Sequence, residues 1–206
     1  MNIIKKLKED FELAIFEKEI DVLIDYANIA IEEIFSNEIM KNIPIVKTIY
    51  SFVKINIAIR ERSFIRKLFV FLKSLHEENI NIESLNKFKK KFEENPKFKE
   101  KVLENILVLN ERFYEYEKSA ILGKLFSSLI KEDISFNRYL EMCSVLDSIH
   151  PIALKALEKQ INNDSITDDE KAMLISSGLT KEDGYVETDY KINTLGNDFF
   201  NFGIKK

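Results

Sequence analysis

Apolar positions recur at helical spacing along most of the chain. The densest stretch is Pro44 to Leu75, PIVKTIYSFVKINIAIRERSFIRKLFVFLKSL. In its first half Ile45, Val46, Ile49, Tyr50, Phe52, Val53, Ile55, Ile57 and Ile59 cover more than half of a helical circumference. Lys47, Ser51, Lys54 and Ala58 form the narrow remaining stripe. A surface helix carries a narrower apolar face, so this width predicts the central helix of a bundle. Pro44 suits the first turn of that helix, where a missing N–H costs nothing. Past Arg60 the apolar face rotates to Ile65, Leu68, Phe69, Leu72 and Leu75, with Arg62, Arg66 and Lys73 opposite. The mismatch predicts a bend or break at Arg60-Glu61-Arg62.

The flanking segments follow the same logic. Residues 3–36 read as helix, with Ile20, Ile24, Ala27, Ile31 and Ile34 stepping by four and three. HEENIN, from His76, reads as a loop whose Asn81 caps a short helix bearing Leu85, Phe88 and Phe92. Asn95-Pro96 ends that helix. From residue 97 to 131 the spacing of Phe98, Val102, Ile106, Leu109, Phe113, Tyr116 and Ala120 predicts one long helix. Ala120, Gly123 and Ser127 then make a small-residue stripe that admits another helix backbone. Ser135 caps a helix with Tyr139, Leu140, Cys143 and Leu146, and Pro151 opens the next.

The last forty or so residues change character. Thr167-Asp-Asp-Glu170 is a capping box, and Gly178 stands where a C′ glycine belongs. Gly184 to Ile192 alternates as a two-stranded hairpin turning at Glu187-Thr188-Asp189. Thr194 caps a final helix with Leu195, Phe199, Phe200 and Phe202. The expected fold is therefore mainly all-α: a bundle of roughly six to eight helices with a small C-terminal β-hairpin in a degenerate winged-helix-like ending. The expected domains are 1–147, the helical bundle, and 148–206, the winged-helix-like module packed on it as one unit.

Composition supports this class. With 45% apolar residues the chain is not disordered, and five Gly with three Pro favour helices over turn-rich β structure. Cys143 is the only cysteine, which fits a reducing cytoplasm. The N-terminal charges are too frequent for a signal peptide, and no uncharged run reaches the roughly 18 residues of a membrane span. Charge is unevenly spread: residues 41–74 hold eight Lys/Arg and one acid, residues 1–40 four Lys and ten acids. Two explanations stand open, acidic helices lying against basic ones or a basic surface for an anionic partner.

Candidate chemistry is sparse. Asp147-Ser-Ile-His150 is a loose Glu-x-x-His, but a di-iron bundle needs two such pairs, and His76 supplies no second. Cys143 and His150 suggest a nucleophile and base, yet Cys143 lies on an apolar stripe and His150 precedes Pro151 as a helix start. No phosphate-binding glycine loop or His-Glu-x-x-His occurs. No catalytic residue, cofactor or metal is expected. Lys87, Lys89, Lys90 and Lys91 read as a solvated face. A DNA-reading winged helix would offer basic and amide side chains, whereas this one presents Asp168, Asp169, Glu170 and Lys171.

The pattern LISSGLT … YKINTLGNDFF, with LGKLFSSLIKEDIS upstream, resembles the Abi-alpha proteins, helical bacterial proteins associated with abortive infection. The match covers the last third of the chain, through Ser177-Gly178-Leu179 and Thr194-Leu195-Gly196-Asn197-Asp198-Phe199. It implies a role in phage–host conflict and carries over no catalytic residue. The first expectation is thus a non-enzymatic protein-interaction or regulatory module in phage defence or counter-defence, cytoplasmic, with another protein as partner. Lys47, Lys54, Arg62, Arg66 and Lys73 are its candidate partner-binding positions. The second is a membrane-surface abortive-infection effector using helices 44–75. Nucleic-acid binding ranks last. Oligomeric state is left open.

Overall fold

A computed structural model describes residues 3–16, 45–48, 59–182 and 190–205. They are mainly α-helical, with one two-stranded antiparallel sheet near the C-terminus. The chain divides into two compact units, 1–133 and 134–206. The division lies ahead of the 147/148 boundary read from the sequence. The helix Phe136–Ser148 belongs to the second unit, where Arg138 pairs with Asp198.

The first unit contains α1 (Ile3–Phe16), the helical turn 45–48, α2 (Ile59–Glu77), α3 (Ile82–Glu94), α4 (Pro96–Arg112) and α5 (Tyr116–Ile130). Helix α2 is continuous from Ile59 through Arg60, Glu61 and Arg62, and the segment 49–58 on the other side of the bend or break expected near there lies outside the described residues. Rotation of the apolar face is accommodated by burying α2 on several sides. Ile65, Leu68, Phe69, Leu72 and Leu75 are buried as predicted, and so are Lys67, Phe71 and Ser74. In the turn 45–48, Ile45, Val46 and Thr48 are buried while Lys47 is exposed. The heptad stripe of 20–34, and the wheel from Ile49 to Ala58 with Lys54, lie outside the described residues.

Helix α2 makes its most extensive packing against α5. Gly123 is the point of closest approach: a Cβ there would stand 2.5 Å from the Phe71 carbonyl oxygen and 2.9 Å from Ser74 Cβ. The small-residue reading of this stretch therefore has its physical cause in a backbone-on-backbone contact. Around it runs a chain of phenylalanine rings. Phe11 to Phe71 is 5.7 Å, Phe71 to Phe126 5.8 Å, and Phe126 to Phe88 5.6 Å. Phe92 joins Phe88 at 4.9 Å and Phe98 at 5.7 Å. The rings thus connect α1, α2, α5, α3 and α4, each contact adding about 0.5–1.5 kcal/mol beyond burial.

Helix ends follow the sequence closely in places. The Asn81 side chain accepts from Ser84 N–H, and Asn95 accepts from Phe98 N–H with Pro96 opening α4. Among the acids of α1, Glu12 pairs with Lys99 of α4 at 3.1 Å. Lys8 meets Glu100 at 2.5 Å, and its ammonium holds that carboxyl below the usual carboxylate range. Asp10 accepts a hydrogen bond from Thr48 of the turn 45–48.

The second unit contains α6 (Phe136–Ser148), α7 (Pro151–Ile161), α8 (Asp168–Ser176), β1 (Thr180–Glu182), β2 (Tyr190–Ile192), α9 (Thr194–Phe199) and a closing π-turn, Phe200–Ile204. The expected caps Ser135 and His150 and the Thr167/Glu170 box are in place. Two details differ from expectation. The first strand begins at Thr180, earlier than Gly184, because Gly178 at φ +78° turns the chain directly out of α8. The expected turn at 187–189 lies outside the described residues. The cap of α9 is Asn193, one residue before Thr194: its side-chain oxygen takes Gly196 N–H, while its amide donates to the Gly178 and Thr180 carbonyls. Gly196 has no room for a side chain, since a Cβ would meet Leu179 O at 2.4 Å. Register pairs Thr180 with Ile192 and Glu182 with Tyr190.

Substituting Gly123→Ala will lower stability by about 1–3 kcal/mol, because overpacking outweighs the helix-propensity gain of about 1 kcal/mol. A urea titration followed by circular dichroism should show a lower midpoint. A midpoint raised by the substitution would mean that α2 and α5 do not touch as described.

Candidate functional site

The long helix expected over 97–131 is two helices, α4 and α5, separated by Phe113-Tyr114-Glu115. No glycine or proline marks the break. Its cause is a side chain from outside the segment. Lys67, only 4% exposed, lies on α2 and sends its ammonium to the Phe113 carbonyl at 2.5 Å and the Glu111 carbonyl at 3.3 Å. In an unbroken helix the Phe113 carbonyl would accept from the N–H of residue 117. Here Phe113 is extended (φ −57°, ψ 138°), and its carbonyl accepts from an ammonium ion. A cation at a helix C-terminus also meets the negative end of the helix dipole. The buried charge and the freed carbonyl thus satisfy each other, as buried polar groups must.

The break forms an elbow with an open groove, lined by Ser63 and Lys67 of α2 and by residues 111–117. The Phe113 ring is buried, with the Lys118 ammonium 5.9 Å from its centroid. Tyr114 points the other way and is 90% exposed. Tyr116 is partly exposed, and the Arg66 guanidinium stacks over its ring at 4.8 Å. The buried Arg66 Nε has no hydrogen-bond partner among the described residues, so the stack is its main anchor. Glu111, Arg112 and Glu117 are exposed and Glu115 half-exposed.

The positions singled out in the sequence fall in different surroundings. Arg66 joins the elbow through Tyr116. Arg62 is exposed on α2. Lys73 is half-buried and 3.8 Å from Glu77 one turn on, an exposed type of pair that contributes little. Lys47 is exposed, and Lys54 lies outside the described residues. Three of the four lysines of the α3 run have partners within the unit: Lys87 bonds Glu132 at 2.5 Å, Lys90 approaches Glu94 at 3.7 Å, and Lys91 lies 4.6 Å from the centre of the Phe98 ring. Lys67, Tyr114, Glu111 and Glu115 were not legible as a site. The available signal was the segment ERFYEYEK, where charges and aromatics alternate too densely for a simple helical stripe.

In the second unit, the residues weighed for catalysis have structural roles. Cys143 is 2% exposed, and burial pushes its thiol up to about 12. The Tyr139 phenol one turn away is likewise raised by burial first and by Cys143 second. His150 is exposed and accepts Ile152 N–H through Nδ1. In the first unit, His76 Nε2 lies 3.0 Å from the Ala14 carbonyl oxygen. No cluster of metal-ligating side chains occurs among the described residues. No helix among them is long and apolar enough to cross a membrane. Comparison with models of known families, with characterised proteins and with solved structures finds no match for the chain.

Replacing Lys67 by Met, which keeps the stem and removes the donor, should cost about 1–3 kcal/mol through the unsatisfied carbonyls. Chemical denaturation measures it; an unchanged midpoint would show that the elbow does not depend on the ammonium. Cys143 will be unreactive toward dithionitrobenzoate at pH 8 in the native chain and fully reactive in denaturant. The neutral thiol is the favoured form. Its contribution to stability is complete below the unfolded-state value of about 8.5 and is lost as pH rises from there toward about 12. A Cys143→Ala chain should lose that part of the alkaline destabilisation.

Proposed function

We propose that this chain is a non-enzymatic protein-interaction module acting in phage defence or counter-defence, with the elbow as its contact surface. The observation that carries the reading is Tyr114, 90% exposed on a turn braced from within by Lys67. An aromatic side chain held on a rigid backbone loses little freedom when a partner covers it, and tyrosine with arginine is the composition of energetic centres at protein interfaces. Tyr114, Tyr116, Arg66 and Arg112 supply that composition here.

The biological setting rests on the resemblance of the C-terminal pattern to the Abi-alpha proteins. Gly178 and Gly196 of that pattern occupy backbone positions that favour or require glycine. Its residues are thus geometric in role, which suits a module that acts by presenting a surface. The membrane-surface reading requires α2 to release Ile65, Leu68, Phe69 and Leu72, all buried in the first unit.

Plaque counts for a panel of phages on cells expressing the chain test the proposal. For at least one phage, plaquing should change by about tenfold or more, and Tyr114→Ala with an unaltered thermal melt should return it to the vector level. A Tyr114→Ala chain as active as wild type would reject the elbow. No effect on any phage would reject the setting. Pelleting of the purified chain with anionic but not neutral vesicles would put the membrane reading first.

A further inference from the structure

We infer that the elbow is a hinge for exchange between two copies of the chain: α4 and α5 join into one continuous helix, and each α5 packs on the α2 of a second copy. Nothing local ends the helix at residue 113. The segment Glu111 to Lys118 contains no glycine or proline, and its glutamates, arginine and lysine are good helix formers. The apolar spacing of Phe98, Val102, Ile106, Leu109, Phe113, Tyr116 and Ala120 runs across the break without a change of face. Helix α5 begins without help from its own N-cap residue, since the Glu115 side chain makes no capping bond. By its local chemistry the segment suits an unbroken helix, and only its surroundings bend it.

The hydrogen bonds agree. Lys67 holds the Glu111 and Phe113 carbonyls. In a continuous helix those two carbonyls would accept from the N–H groups of residues 115 and 117. Straightening therefore gives both carbonyls main-chain donors and releases the Lys67 ammonium to the open groove it lines. Both α4 and α5 pack on α2, so straightening within one chain parts one of them from it. The costly contact to lose is α5 on α2, closed at Gly123. A second copy offers an identical α2, so exchange remakes that seam between chains. Short hinges held against the local preference of their sequence invite such exchange.

The test is size-exclusion chromatography with light scattering on the purified full chain, refolded from urea at low and at high concentration. Docking within one chain across a short connection acts as an effective concentration of about 1 mM. Wild type refolded at micromolar concentration should therefore be monomeric, and refolded at about 1 mM it should contain dimer. Lys67→Met removes the bond that favours the bent form in both copies and should raise the association constant at least about tenfold. Tyr116→Pro should give monomer only, because proline suits the first position of α5 after the extended Glu115 but breaks a continuous helix. Tyr116→Ala loses the same ring and its stack with Arg66 but permits the helix, and should dimerise at least as well as wild type. On dilution the wild-type dimer should revert slowly in native buffer and at once after passage through urea, because reversal requires opening the α2–α5 seam. A wild type that is monomeric after refolding at about 1 mM would overturn the inference. So would a dimer that dissociates immediately on dilution, or one that Tyr116→Pro forms as readily as Tyr116→Ala, since either is a surface contact. An association constant unchanged by Lys67→Met would overturn the hinge. Should Tyr116→Pro fail to fold, the dilution result on the wild type decides alone.

Discussion

The first unit depends on one approach of main chain to main chain. At Gly123 helix α5 lies against the Phe71 carbonyl and the Ser74 side chain of α2, with no space for even a methyl group. Two helices this close leave room between them only for small groups, and Ser74, Ser119 and Ser127 are buried accordingly. The large side chains are displaced to the sides of the seam, where the phenylalanine rings gather the other helices around α2. One turn before Phe71, on the same helix, Lys67 reaches the end of α4. Helix packing and the elbow are therefore parts of a single arrangement.

Much of this was legible in the sequence because it rests on local spacing. The buried face of α2 follows from Ile65, Leu68, Phe69 and Leu72. Asn81, Ser135 and Thr167 announce their caps because capping is decided within three residues. Gly123 was readable as a place of close approach, though not what approached it. The elbow was not readable. Phe113 and Tyr116 keep a helical spacing across the break, and the group that opens the helix comes from Lys67, far away in the chain. In the sequence Lys67 is one of several cations in a basic stretch, and nothing local distinguishes an inward lysine from an outward one. The early start of β1 was missed for a related reason. Gly178 directs the chain, but Asn193, bonding to the carbonyls on both sides of Leu179, ties that bend to the next helix.

Both units tie elements together with ion pairs, among them Lys99–Glu12 in the first. In the second unit, Arg138 of α6 meets Asp198 of α9, and Lys159 of α7 meets Glu170 of α8. Arg138 bonds Glu141 and Asp198, which in that order raise its already high affinity for the proton, and Lys159 bonds Glu170 and holds its carboxyl low. At the elbow the buried Lys67 ammonium is held by the main-chain carbonyls of Glu111 and Phe113.

The seam at Gly123 also orders events during synthesis. Its two sides are separated by about fifty residues, which a ribosome adds in roughly 3–10 s. Over that interval the apolar face of α2 exists before the helix that covers it. Nascent chains arrested between the two helices would therefore display an uncovered surface, a natural ligand for chaperones. The completed chain closes that surface by a non-local contact, the kind that slows folding and lengthens the time at risk.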